Sequence, residues 1–437
     1  MKIAAVFIIL LLVLLPVMGV SMTGDGTLKG RLQTFVSYGL SLTSLLLCLL
    51  TILVSIYSVT NDIEKRQIYT VITKPIRRFQ LLFGKLFGVI LLDVALLLLF
   101  SAVIYTITIY TPKFFKPSKA ELTSLNNEFF TARTSLVPAQ FDVTQEVLDI
   151  YNKLEKSGQL PPGLSRKEII DRLTSQKQLE KRAATPGREL VWEFSNVKPI
   201  DPKQSLFIRF KYDVSVNPPD LQVFSRWIVG DDRPVKYGET NQTPVYTFDR
   251  KDLIRTFHEI EVPGDAVARD GYLAVGFFNI PLNNTVVMFP PGDKLAVLYK
   301  ADSFTANFLR AVLLILFRLI FLACLGILAS TFLSFPVAIL FCLVIFFTGT
   351  ISGFCLESFD YLSENISGIY HYTIRPLIRL LPQFDKFNPT KFLVPAKLLS
   401  WSLLAEAAAL MVCAKALLLL LLALLIFSYK EIAKIIV

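Results

Sequence analysis

The chain has 437 residues, 53% of them apolar and only 18% charged, with a net charge of +10. That much charge does not cover the surface of a water-soluble protein of this length, which excludes a purely soluble fold. The basic excess is not spread over a soluble face, as nucleic-acid binding requires, but collects in one short loop between apolar segments.

A hydrocarbon core of about 30 Å takes about 20 apolar residues of helix. Ile3–Val20 is the first candidate span. Its single leading lysine and the small residue Gly19 also fit a signal peptide, and we read the segment as retained. Phe35–Val59 is the second span and Phe83–Tyr110 the third. The loop between them carries Lys65, Arg66, Lys74, Arg77, Arg78 and Lys85 against only Asp62 and Glu64. Short basic loops of this kind lie on the cytoplasmic side. Within it, Asn61 and Glu64 have the spacing of a helix-capping box. Ile68, Val71 and Ile72 then share one face of a short helix, and Pro75 ends it. The expected product is a stiff amphipathic elbow at the membrane surface.

Residues 112–303 hold 26 Lys and Arg against 25 Asp and Glu, the balance of an ordinary soluble domain. Val143–Arg182 predicts two short polar helices around the breaker GQLPPGLS. From about residue 190 the pattern changes to short β-rich runs: LVWEF, SLFIRFKYDVSV, VFSRWIV, VYTF, HEIEV, YLAVGFFN, TVVMF and LAVLY. In the second, Leu206, Ile208, Phe210 and Tyr212 alternate with Phe207, Arg209 and Lys211, the period of a half-buried strand. Such runs, separated by Pro, Gly, Asn and Asp, predict a β-sandwich or jelly roll.

Phe304–Phe332, Val337–Phe354 and Trp401–Phe427 complete the spans. Between the last two, 357–399 predicts an amphipathic outer segment with half-inserted helices, although Arg375, Arg379, Lys386, Lys391 and Lys397 run against the positive-inside bias. The fold class is therefore a polytopic α-helical membrane protein of about six transmembrane helices with an inserted extracytoplasmic β-sandwich-like domain. Its divisions are a membrane block, 1–110, with the cytoplasmic loop 61–85; the outer domain, 111–303; and a second membrane block, 304–437. Both termini are expected in the cytoplasm.

Catalytic and metal signatures are missing from the sequence. Neither His258 nor His371 has a Cys or His neighbour at ligand spacing, no CxxC occurs, and there is no GxSxG or HExxH. The five cysteines all lie in or beside apolar segments. Four charges inside spans carry more weight, because each is costly in lipid. These are Asp93, Arg318, Glu406 and Lys415. By helical rise, Asp93 lies ~14 Å and Lys415 ~20 Å from the cytoplasmic ends of their spans. They are expected to pair, with Arg318 nearer the outer interface and within reach of Glu406.

The run SVTNDIEKRQIYTVITKPIRRFQLLFGKLFG, Ser58–Gly88, resembles the cytoplasmic loop of type-2 ABC transporter permeases, in a subgroup of bacterial proteins with an enlarged outer domain. Glu64, Arg66, Ile68, Pro75, Arg78, Gly84 and Lys85 sit at the matching places, with Asn61 opening the loop. Gln67 and Arg77 stand where the family commonly has Thr and Ser. The tail IFSYKEIAK is similar to the family's ending at Phe427, Lys430 and Glu431, and LASTFLSFPVA and LPQFDKFNP are similar to the subgroup.

The resemblance implies an inner-membrane permease, an exporter, paired with a second permease chain and driven by a separate ATPase docking on the 61–85 loop. ATP and magnesium would belong to that partner, because this chain has no GxxxxGK[ST] loop and FGKL lacks its upstream glycine and hydroxyl residue. No cofactor is expected in the chain itself. Two other readings stand beside this one. One is an envelope protein whose sandwich binds glycan or protein; the other is a permease-like subunit passing ATPase motion to an envelope partner without transport.

Overall fold

The computed structural model describes residues 2–64, 78–115, 117–139, 141–160, 165–199, 204–234, 243–290, 294–360 and 381–429. The chain divides into two compact units, Met1–Ala132 with Ser303–Val437, and Arg133–Asp302.

The first unit is helical. It contains α1 (Lys2–Ser21), α2 (Leu28–Glu64), α3 (Arg78–Phe115) and α4 (Lys119–Glu128), and then α7 (Phe304–Phe332), α8 (Phe335–Asp360) and the single turn α9 (Thr390–Leu393). The last helix, α10, starts as Trp401–Ala407, passes through a π-helical stretch at Ala408–Ala416 and ends as Leu417–Tyr429. Five stretches are long and apolar enough to cross a membrane: Leu28–Ile63, Phe79–Phe115, Phe304–Phe332, Phe335–Cys355 and Trp401–Ser428. A further apolar helix, Ala5–Ser21, is shorter. The protein is therefore a membrane-embedded helical protein with a separate sheet-rich domain.

Helix α7 is the hub of this unit. Its apolar window is 72% buried, against 28% in α8 and in α10. Gly326 lets α2 approach, since a Cβ there would lie 1.9 Å from Ser55 Oγ. Residues 111–132, expected in the outer domain, cluster with the helices instead. α3 runs on to Phe115, and the rings of Phe129 and Phe130 pack 5.4 and 5.5 Å from Phe304.

The second unit carries α5 (Thr144–Lys156) and α6 (Arg166–Lys181), the two polar helices expected from the sequence. Ser165 and Glu168 form a complete capping box at the start of α6. The strands are β1 (Thr131–Leu136), β2 (Ala183–Ala184), β3 (Glu189–Phe194), β4 (Leu206–Phe210), β5 (Asp213–Val214), β6 (Gln222–Gly230), β7 (Tyr246–Leu253), β8 (His258–Val262), β9 (Leu273–Asn279), β10 (Val287–Met288) and β11 (Leu295–Ser303).

Two sheets have the orders β1-β11-β4-β8 and β3-β9-β6-β7, and a small third joins β2, β10 and β5. Setting aside the two-residue strands, the order in one sheet is first, eighth, third, sixth, and in the other second, seventh, fourth, fifth. That is jelly-roll connectivity. The core between the sheets is aromatic. Trp227 is fully buried, with ring centroids 4.4 Å from Phe210 and 5.1 Å from Phe277, and Phe289 closes on Trp192 at 4.9 Å. Strand β1 was not expected, because TARTSL lacks the apolar alternation that marked the others.

Candidate functional site

The helices flanking the basic loop are joined at its two ends. Asn61 was expected to cap a new helix, but α2 continues through it to Glu64 without a break. The reason is local: Val59 is fully buried and Thr60 Oγ1 donates to the carbonyl of Ile56 at 2.9 Å, which keeps the last turns on the helix. From α3, Lys85 pairs with Asp62 at 2.6 Å and donates to the carbonyl of Ser58. The end of α2 and the start of α3 are thus cross-linked by one lysine. Among the described residues a Cβ at Gly84 would meet nothing within 4 Å, so packing among them does not require a glycine there. Arg66, Ile68 and Pro75 lie outside the described residues. Arg78 opens α3, and Glu64 closes α2.

The intramembrane charges do not form the expected pairs. Asp93, 1% exposed, takes a 2.8 Å hydrogen bond from Thr51 Oγ1 of α2 on its Oδ1. Its other oxygen has no hydrogen-bond partner among the described residues. Glu406 pairs with Lys386 instead of Arg318. Lys415 donates to the carbonyl of Leu381 at 2.6 Å. Arg318 lies midway along α7, ~21 Å from either end, and not near one interface. Its Nη2 donates to the carbonyl of Phe384 at 3.1 Å, and its Nη1 to Ser44 Oγ at 3.2 Å.

These contacts share a purpose that pairwise charge arguments missed. Residues 381–400 run without regular structure, except for the single turn α9, along the face of α7. Phe384, Phe387, Leu393, Ala396 and Leu399 in this segment are buried in the unit's core while Lys386, Lys391 and Lys397 are exposed, so its described half is amphipathic, as expected, but without regular helices beyond one turn. An irregular backbone packed into a helical membrane unit has carbonyls that no helix or sheet ladder satisfies. Side chains supply the donors one by one. Lys415 serves Leu381, Arg318 serves Phe384, Gln33 Nε2 serves Val394 at 2.8 Å, and Arg310 Nη1 serves Leu399 at 3.3 Å. Asn307 holds both edges of one stretch, donating to the Lys397 carbonyl at 2.9 Å and accepting from the Leu399 amide at 2.8 Å.

The sequence held a signal for this. Asn307, Arg310 and Arg318 fall at i, i+3 and i+11 on α7, which is one helical face. Asn307 and Arg318 are ~17 Å apart along the axis, and the chain from 399 back to 384 follows that face. On the opposite side of the segment, Gly349 of α8 allows close approach, because a Cβ there would lie 2.7 Å from the Pro382 carbonyl oxygen. A polar cavity of about 190 Å³ opens beside the segment, between α2, α7, α8 and residues 388–390.

The jelly roll has its own concavity, a depression of about 330 Å³ on the outer face of the β3-β9-β6-β7 sheet. Its floor is low because Gly230, Ala274 and Gly276 occupy the central strands, and Glu189, Asp231 and Asp232 stand around it. Nearby, Arg233 is gripped by Asp231 and Asp270 at 2.7 and 2.6 Å and lies over the Tyr272 ring. The two carboxylates raise the arginine's pKa further above its ordinary value. Burial, then the 2.7 Å hydrogen bond to Asp232, raises that of the Tyr272 hydroxyl. His258 is structural, held by Thr256 at 2.7 Å and the carbonyl of Leu253 at 2.8 Å. Among the described residues no group of His, Cys, Asp and Glu is placed to hold a metal ion.

Comparison with known proteins finds no matching family model, no matching curated protein and no matching solved structure.

Proposed function

We propose that the chain is the membrane-spanning permease subunit of an ABC-type exporter in a bacterial inner membrane. It would have six spans, both termini in the cytoplasm and the jelly roll outside. A separate ATPase, holding ATP and magnesium, docks on the 61–85 loop, and a second permease chain completes the assembly. The observation that carries the transport reading is the irregular segment 381–400 held against the middle of α7 beside a polar cavity. Non-helical backbone at membrane depth is tolerated where it is buried in protein or lines an aqueous cavity, as in channels and transporters. A membrane anchor has no use for it. The ATPase coupling rests on the resemblance of the loop, and the Lys85–Asp62 bridge suits it, since a push on the loop reaches α2 and α3 together.

The test uses Glu64→Ala and Pro75→Ala, which leave every basic residue of the loop in place. Both variants are expected to insert normally yet lose ATPase co-purification or substrate-stimulated hydrolysis. Wild-type association and turnover in both would remove the coupling role.

The depression on the jelly roll favours a second reading, in which the outer domain binds an envelope glycan or protein and the spans relay ATPase motion without moving cargo. ATP-dependent flux in proteoliposomes separates the two: the exporter reading requires it, and the relay reading forbids it.

A further inference from the structure

We infer that the cavity beside Arg318 is a binding site for a small oxyanion, a carboxylate or phosphate group. Arg318 is a cation at the middle of a membrane helix, and its contacts are the neutral Ser44 hydroxyl, the neutral Phe384 carbonyl and the Phe384 ring, 5.0 Å from its guanidinium carbon. Those contacts orient the guanidinium but do not neutralise it. Asp385 of the neighbouring segment is near enough for its charge to act on Arg318 but bridges to Lys391 at 2.7 Å, and Glu406 of α10 bridges to Lys386. Among the described residues none pairs with Arg318. A half-buried cation at mid-helix with no ion-pair partner among the described residues is unfavourable, so a bound anion completes the arrangement.

The cavity has the size and lining for one. Its volume is about 190 Å³, or roughly six waters at ~30 Å³ of liquid volume each, enough for a compact anion and little more. No carboxylate lines it, and its polar lining includes Ser41, Ser44, Arg318 and Asn388. The Asn388 amide is turned by its own loop: Oδ1 accepts from the Thr390 amide at 3.2 Å and from Thr390 Oγ1 at 2.9 Å, which leaves Nδ2 as a donor. Two serine hydroxyls, an amide and a planar guanidinium form a set of donors suited to an oxyanion, because the guanidinium fork matches two oxygens of one group. Ser41 is exposed, so the cavity has a mouth.

The probes are inorganic phosphate and acetate, titrated into the purified full chain in nanodiscs without an ATPase, against sodium chloride at equal ionic strength. Leaving out the ATPase separates this test from the transporter reading, whose failure would show only in coupling and flux. Saturable binding of phosphate or acetate above the chloride control is expected. Arg318→Gln should abolish it, and Arg318→Lys, which keeps the charge but loses the fork, should weaken it at least tenfold. Ser41→Ala at the mouth removes one donor and should weaken it about three- to tenfold; it decides the matter if the arginine variants do not fold. Phosphate binding that disappears when the nanodiscs contain phosphatidic acid assigns the site to a lipid headgroup, and binding that persists assigns it to a free anion. No saturable binding of either probe, or wild-type binding in both Ser41→Ala and a folded Arg318→Gln, overturns the site.

Discussion

The two units treat charge in opposite ways. In the jelly roll, cations meet anions: Arg226 with Asp249, Arg250 with Asp252, Lys251 with Asp220, and Arg255 with Asp213, mostly at half-exposed positions. In the helical unit the deeper cations, Arg310, Arg318 and Lys415, meet backbone carbonyls. The difference follows from what each environment lacks. At a wet surface the backbone is already satisfied by ladders and water, so a charge is free to find a charge, for a gain of about 0–1 kcal/mol. In a membrane block an irregular segment has carbonyls with no water to take them, and an orphan costs about 1–3 kcal/mol. A charged residue in an apolar span is therefore as much a sign of irregular backbone nearby as of a partner charge.

The largest effect expected tests whether the units are energetically separate. Trp227 is fully buried, and its Nε1 donates to Ser225 Oγ at 3.1 Å. Trp227→Ala should cost about 3–5 kcal/mol, the range for deleting a large core aromatic. Hydrogen exchange on the full chain should then rise in β6 and β9 and stay unchanged in α7. An equal rise in α7 would merge the two units into one cooperative fold.

A smaller effect is expected at Asn307, and it tests the carbonyl rule itself. Asn307→Leu fills the same space with an apolar side chain and strands the Lys397 carbonyl and the Leu399 amide. The cost should be about 1–3 kcal/mol for a group left unpaired. It should appear as a lower thermal midpoint of the purified protein and faster exchange at the Leu399 amide. Unchanged stability would mean that residues 397–399 find other donors, and the contrast between the units would weaken.

The sequence made the fold more legible than the site. A β-rich composition bounded by turn residues located eight runs, helped in strands such as β3 and β6 by alternation against an aromatic core; HEIEV coincides with β8 and LVWEF with all but the first residue of β3. Phe304–Phe332 agrees at both ends, because Ser303 caps its start and the polar turn before Phe335 stops it. Strand β1 escaped because its residues are polar and its place depends on the distant β11. The cap at Asn61 failed because a capping box is a local signal, and the burial of Val59 outweighs it, so α2 continues to Glu64. The partners of Arg318 and Lys415 escaped for a deeper reason. A carbonyl is present at every position and carries no sequence signal, so charge pairing was the only partner the sequence offered. The face shared by Asn307, Arg310 and Arg318 was visible, but what lay along it was not.

The smallest effect belongs to the jelly roll and sharpens the contrast by its pH dependence. The Asp270 carboxyl is held below its ordinary value of 3.8, first by its hydrogen bonds from Arg233 and then, against the opposing effect of burial, by the backbone amide of Tyr272. A carboxylate whose pKa is lowered on folding adds stability above the unfolded value, and loses it as pH falls through the folded one. Its side chain is 57% exposed, so solvent screens the pair and the gain should not exceed about 1 kcal/mol. Asp270→Asn keeps the shape and leaves the Arg233–Asp231 bridge in place. The stability difference between wild type and variant should be full well above the unfolded value of 3.8 and shrink as pH falls through and below it. Tryptophan fluorescence melts between pH 3 and 7, in a Trp401→Phe background that confines the signal to Trp192 and Trp227, would measure it. Added salt should shrink the same difference at pH 7, whereas Asn307→Leu, whose loss involves no net charge, should be indifferent to salt. Equal salt dependence in the two variants would mean that the helical unit, too, is held by charge pairing.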